Sequence, residues 1–191
     1  MQILVADDSL KTEKSVASLF RKGWRFLPGL ARGTPQLTLT YYYPYYFQSW
    51  KATIPKSLAR TMKMRLFTGV DGTNRSVGLA TEWPVRRQRV VKAEEVIPSH
   101  TSEAEVEQLS QEYIKEYVTR RYRPSEPPTI QREKSEMVYV AYYVYVKENQ
   151  PLYKADLVEG LTGSRGRVKD VPTIHETVKE GEMFTGVGEE R

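Results

Sequence analysis

The sequence predicts an α+β fold in which two similar helix-plus-antiparallel-sheet units pack into one pseudo-symmetric body. Three observations lead there. Residues 70–84 and 158–172 share a pattern at a constant offset of 88. Val70-Asp71-Gly72 answers to Val158-Glu159-Gly160, Ser76 to Ser164, Gly78 to Gly166, and Glu82-Trp83-Pro84 to Asp170-Val171-Pro172. Helix-like runs opening at Ser9 and at Ser102 are each followed by a basic-aromatic stretch and then a tyrosine-rich strand. Each helix is thus followed by about three strands joined by turn residues, which favours an antiparallel sheet on a helix over an alternating βα plan. The first unit is expected over residues 1–98, the second over 99–180, and a flexible tail over 181–191.

Taken in order, Ser9 to Lys22 sets Leu10, Val16, Ala17, Leu19 and Phe20 on one helical face, with Asp7, Asp8 or Ser9 as cap and Gly23 as stop. Leu37 to Trp50 reads as a strand. Pro44 supplies no N–H, so this strand is expected at a sheet edge or bulged there. Pro55 marks a connection with a short helical turn at Ser57 to Arg60. Met64–Val70 and Val77–Trp83 form two strands joined by Asp71-Gly72-Thr73-Asn74, a composition suited to a tight hairpin. Val85 to Ile97 is a strand or irregular segment closed by Pro98.

The second unit opens on Ser99 or Thr101 as cap, with Glu103, Glu105 and Glu107 in the first turns and Arg120, Arg121 and Arg123 at the end, as the helix dipole favours. Val106, Leu109, Tyr113, Ile114, Tyr117 and Val118 keep helical spacing. Pro124 to Pro128 links this helix to the strand Met137–Lys147, whose β-branched and aromatic residues predict cover on both faces or a place at an interface. Tyr153–Val158, a turn at Gly160–Gly166 and Arg167–Val171 complete the unit. In outline, a helix with a sheet wrapped on it resembles cystatin-like and PepSY-type units, from which no function is carried over. Phe184-Thr185-Gly186-Val187 repeats Phe67-Thr68-Gly69-Val70, a four-residue match of the kind chance produces.

Composition narrows the function classes. The chain has 191 residues, 39% of them hydrophobic, with 13 Tyr, 5 Phe and 3 Trp, so aromatic rings should supply much of the core. Cys is absent, which removes disulfides, thiol nucleophiles and cysteine metal sites. No apolar run nears the roughly 20 residues of a membrane-spanning helix, and the N-terminus lacks signal-peptide character. A soluble, cytoplasmic protein is expected. The net charge of +5 permits contact with nucleic acid without requiring it.

No catalytic constellation emerges, and no enzyme, metal or cofactor is expected. Ile3-Leu4-Val5-Ala6-Asp7-Asp8-Ser9 resembles the first strand and acidic pair of a response-regulator receiver, which would imply a magnesium site. The alternating βα pattern of a receiver does not follow, so Asp7 and Asp8 read as helix caps. The two histidines, His100 and His175, have no second ligand at metal spacing. Glycines 69, 72, 78, 160, 163 and 166 sit between strands rather than at a helix start, which suits turns and bulges rather than phosphate loops.

Two surfaces remain as candidates. Tyr41, Tyr43, Tyr45 and Phe47 alternate onto one strand face and, with Tyr139, Tyr143 and Tyr145, suggest a non-enzymatic binding or assembly protein that contacts another protein or itself, with a homo-oligomer expected. The alternative is nucleic-acid binding through Arg86, Arg87 and Arg89 and through Arg120, Arg121 and Arg123, with Trp83 and Tyr122 as stacking rings. The competing explanations are burial of the tyrosines between the two units and a solvated basic surface.

Overall fold

A computed structural model describes residues 1–7, 36–56, 60–147 and 150–185, with only the backbone over 181–185. The fold is mixed α and β, with one large, mostly antiparallel sheet and two helices among the described residues. The strands are β1 (Gln2–Ala6), β2 (Gln36–Lys56), β3 (Arg60–Asp71), β4 (Val77–Ala80), β5 (Arg86–Val90), β6 (Thr129–Val146), β7 (Asp156–Glu159) and β8 (Arg165–Arg167). The helices are α1 (Glu103–Tyr122) and α2 (Pro172–Thr185). Neighbours run β4-β3-β2-β6-β1-β5, with β7 on the β1 side of β6 and β8 beyond it. The helix expected over Ser9–Lys22 and the turn expected at 57–59 lie outside the described residues, while Arg60 already belongs to β3.

The centre of the sheet is the long pairing of β2 with β6, which sets Tyr41 opposite Tyr142, Tyr43 opposite Val140 and Tyr45 opposite Val138. Because strand side chains alternate, each pairing sorts residues to one of two faces. One face carries Tyr41, Tyr43, Phe47, Val138, Val140, Tyr142 and Val144, and receives Ile174 and Val178 of α2. The other carries Trp50, Ala52, Ile54 and Leu66, and receives Ile114 and Val118 of α1. Beside that patch, Tyr42, Tyr139 and Ala141 pack with Ile3, Val5 and Val91.

β2 lies inside the sheet, not at an edge, and shows no register shift at Pro44. The N–H and C=O of one residue in an antiparallel strand point to the same side. The Pro44 carbonyl accepts from Gly72 N at 2.9 Å, so its imide nitrogen faces the point where β3 ends and its pairing with β2 stops, at Tyr45 and Asp71. A missing donor costs nothing there. Gly72 is required for that approach, since a Cβ would lie 3.0 Å from Pro44 Cβ and O.

The two hairpins share one geometry. β2 pairs with β3 at Tyr45–Asp71, Tyr46–Val70 and Phe47–Gly69, and β6 pairs with β7 at Tyr142–Glu159, Tyr143–Val158 and Val144–Leu157. Every β2 residue here stands 97 before its β6 counterpart and every β3 residue 88 before its β7 counterpart. Asp71 N donates to Ser76 O and Glu159 N to Ser164 O, both at 2.9 Å. Arg75 and Gly163, again 88 apart, both have positive φ, 65° and 72°. Gly69–Gly78 across β3 and β4 matches Leu157–Gly166 across β7 and β8. Val96 bridges Tyr42 in parallel, as Val5 bridges Tyr139.

The helices depart from this correspondence. α1 and α2 pack on opposite faces of the sheet. α2 spans the boundary at 180–181 expected between the second unit and the tail and ends at Thr185. The strand expected over Arg167–Val171 ends at Arg167 and continues as a 3-10 turn, Val168–Asp170.

Candidate functional site

The seven aromatic candidates divide between the two faces. Tyr41, Tyr43, Tyr45 and Phe47 share the α2 face, whereas Tyr139, Tyr143 and Tyr145 share the other. Five of the seven are buried within the chain; Tyr45 and Tyr143 are half-buried. The Tyr45 and Tyr142 hydroxyls meet at 3.3 Å, joining residues at corresponding positions of the two hairpins. Burial raises both phenols above the usual tyrosine pKa, and the bond from Tyr142 partly offsets this at Tyr45.

Beside them lies a polar node. Asp71 is buried and accepts from Tyr43 Oη at 3.0 Å, Thr73 N at 2.8 Å, Thr73 Oγ1 at 2.9 Å and Asn74 N at 3.0 Å. Thr173 Oγ1 of α2 donates to Thr73 Oγ1 at 3.4 Å, tying helix to hairpin. Burial raises the Tyr43 phenol as well, and the Asp71 charge adds to the effect against the hydrogen bond with Thr73.

A cleft of about 730 Å³ lies on the α2 face, over β2, β3 and β4. Tyr45, Phe47, Gly69 and Gly78 floor it, Thr81, Pro84, Val85 and the Leu161–Thr162 turn wall it, and Asp7 and Glu82 stand at its rim. Gly69 and Gly78 face each other across β3 and β4. Among the described residues a Cβ on Gly78 would meet nothing within 4 Å, and one on Gly69 would touch only the Phe47 ring, at 3.6 Å. The floor is therefore bare backbone and aromatic carbon. The wall is braced by Trp83, which packs edge-on to Phe67 at 6.3 Å, with Lys134 Nζ 4.4 Å and Arg86 5.9 Å from its centroid. Glu136 accepts from both cations, at 2.7 and 3.2 Å. Burial works against the Glu136 charge, but these bonds prevail and hold its carboxyl below the usual range.

The arginine candidates do not converge. Arg86 pairs with Glu136, Arg87 with Asp7 at 3.8 Å, and Arg89 lies 5.6 Å from the Tyr42 centroid. Arg120 pairs with Glu116 at 2.7 Å, and Arg123 caps α1 in the left-handed conformation. α1 ends where Lys56 Nζ bonds Tyr122 O, so the clusters stand 14 residues of β2 apart, about 45 Å at strand rise. Among the described residues no group of three His, Asp or Glu side chains could hold a metal, and no helix is long and apolar enough to cross a membrane. His100 lies in the connection before α1, and His175 in the first turns of α2.

The cleft has no signature in the sequence beyond its glycines. Gly69 and Gly78 fitted turns and bulges by composition. Their facing position needs the β3–β4 register, which the Asp71–Ser76 turn fixes. Compared with known proteins, the chain matches no family model, and no curated protein or solved structure matches it significantly.

Proposed function

We propose that this chain is a non-enzymatic binding protein of two similar helix-plus-sheet halves, and that it engages another protein through the cleft beside Tyr45 and Phe47. One observation carries the reading: among the described residues a Cβ on Gly78 would meet nothing within 4 Å, beside the buried Phe47 ring and the half-buried Tyr45. Side chains missing from a floor of this kind make room for those of a partner, and an apolar floor with a charged rim suits protein contact. The tyrosine rows act as the rigid base of that surface. Self-association through the same cleft is the homo-oligomeric form of this reading. Nucleic-acid binding has less support, because the basic clusters stand far apart and several of their members are paired.

The test is a photo-reactive p-benzoylphenylalanine at position 78, with a control at Val90, which is 80% exposed on β5. Irradiation in cells that make the protein should give a discrete protein adduct from position 78 and none from position 90. An adduct of twice the 22.1 kDa chain mass would identify a second copy. Loss of adduct from 78, or equal labelling from 90, would remove the cleft as a docking surface.

A further inference from the structure

Away from the cleft, the far end of the β2–β3 pair carries a different kind of surface. Between residues 51 and 65 the chain has five basic residues, Lys51, Lys56, Arg60, Lys63 and Arg65, and no acidic one. Strand alternation sorts them. Trp50, Ala52, Ile54 and Leu66 pack against α1, so Lys51, Thr53, Lys63 and Arg65 point the opposite way. On that side Lys51 stands opposite both Arg65 and Gln131, and Thr53 opposite both Lys63 and Thr129. Three adjacent strands thus present one polar platform, about 10 Å across at ordinary strand spacing. Lys51, Lys63, Arg65, Thr129 and Gln131 are all exposed.

Lys51 and Arg65 are like charges in directly opposed positions, an arrangement that costs a sheet stability. One carboxylate answers them: Glu133 Oε2 lies 2.7 Å from Arg65 Nε. Among the described residues Lys51 and Lys63 have no ion pair. The rest of the chain does not make up the deficit, since residues 8–35, 57–59, 148–149 and 186–191 together hold seven basic and five acidic residues. The missing anion therefore comes from outside. We infer that this platform binds the phosphate backbone of single-stranded nucleic acid, independently of the cleft and of the two arginine clusters. A protein interface has an apolar, aromatic centre, whereas this face offers Lys, Arg, Thr and Gln, the side chains that contact phosphate. None of the exposed large apolar side chains among the described residues belongs to it, so it has nothing to insert into a lipid surface. Its width takes one strand.

The test is fluorescence anisotropy of a labelled oligothymidylate of about 12 nucleotides with the full-length protein, between about 50 and 200 mM salt. Three phosphate contacts, from Lys51, Lys63 and Arg65, give a slope of log affinity against log salt of about −2, at about 0.7 per contact on a single strand. Lys51→Gln and Lys63→Gln should each reduce that slope by about 0.7 and weaken binding about fivefold near 0.1 M salt. Both side chains are exposed, so neither substitution threatens the fold. Arg120→Gln removes an equal charge from a side chain that is 80% exposed on α1, and should change neither quantity. The inference falls if the oligonucleotide does not bind at the lowest salt. It falls if Arg120→Gln weakens binding as much as Lys63→Gln, since net charge alone would then be acting. It falls also if Lys51→Gln and Lys63→Gln release the protein from phosphatidylserine vesicles but leave oligonucleotide binding unchanged, since the anionic surface would then be a membrane. None of these outcomes bears on the cleft, which is tested by the photo-adduct at position 78.

Discussion

Asp71 shows how one side chain closes a hairpin. Its carboxylate takes hydrogen bonds from two backbone amides and two hydroxyls, so the turn from β3 to β4 is ordered from within. Asp71→Asn turns the oxygen that accepts from Tyr43 Oη at 3.2 Å into an amide donor and removes the charge that strengthens the bonds to the other. The expected loss is about 1–3 kcal/mol, read as a lower urea midpoint at unchanged slope. Tyr43→Phe removes a single donor and should cost about 1 kcal/mol by the same measurement. The tyrosines also set an alkaline limit. Burial raises the folded-state pKa of Tyr43, Tyr45 and Tyr142 above that of the unfolded chain, so between those values the folded protein holds more protons. Their contribution is complete below about pH 10 and declines as pH rises beyond it. Tyrosinate absorbance should therefore rise in two phases, exposed phenols first and buried ones only with unfolding; a single phase near pH 10 with native structure retained would contradict this. The alternation that set Tyr41, Tyr43, Tyr45 and Phe47 on one face was legible because it needs only the strand period. Their burial stood in the sequence only as the competing explanation, because it depends on β6, α2 and the rest of the cover, over 80 residues away in sequence.

Among the elements, α1 was the clearest in the sequence and forms with the expected chemistry, though Ser102 is the cap rather than Ser99 or Thr101. Ser102 Oγ accepts from Glu105 N at 3.3 Å, and Glu105 Oε2 accepts from Ser102 N at 2.9 Å. Hydrogen bonds from Ser102 are the main reason the Glu105 carboxyl lies below its usual pKa, with Arg75 assisting. Ser102→Ala should lower stability by about 1 kcal/mol in thermal or urea unfolding. A larger cost is expected where α1 meets the sheet. Trp50 Nε1 donates to Thr68 Oγ1 and Thr68 Oγ1 donates to Ser110 Oγ, each at 3.1 Å and buried. Thr68→Val keeps the shape and strands both partners, so about 2–5 kcal/mol should be lost, more than for Ser102→Ala; equal losses would mean that water relieves the site. α2 was not legible. Its opening, Pro-Thr-Ile-His-Glu-Thr-Val, is rich in β-branched residues of modest helix propensity, and its burial on Val144 and Leu157 overrides that preference. Pro44 misled for a related reason: the rule against proline inside a sheet holds where its nitrogen faces a paired strand, and here it faces the end of one.

At the scale of the whole molecule, the pairs β2–β3 and β6–β7 meet edge to edge through β2 and β6 in one sheet. β2 and β6 pair from Gln36–Val146 to Thr53–Thr129, and corresponding residues exchange places across the Tyr43–Val140 pair. Each half supplies one of the two central strands. The two central strands share one core, because Tyr41, Tyr43 and Phe47 of β2 pack with Val138, Val140 and Val144 of β6. α1 adds to this interdependence: it follows the first half, precedes β6, and buries Ile114 and Val118 on β2 and β3. Separating the halves would open the longest ladder of the sheet and expose both faces of its centre. Unfolding should therefore be one cooperative event despite the length of the chain. The check is calorimetry with circular dichroism: a single transition with calorimetric and van't Hoff enthalpies in agreement, and coincident near- and far-ultraviolet curves. Val140→Ala, at the centre of the exchange, should lower the midpoint of that one transition without splitting it. Two resolved transitions, with Val140→Ala moving only one, would show that the halves fold independently and that the continuous sheet is a docking of domains.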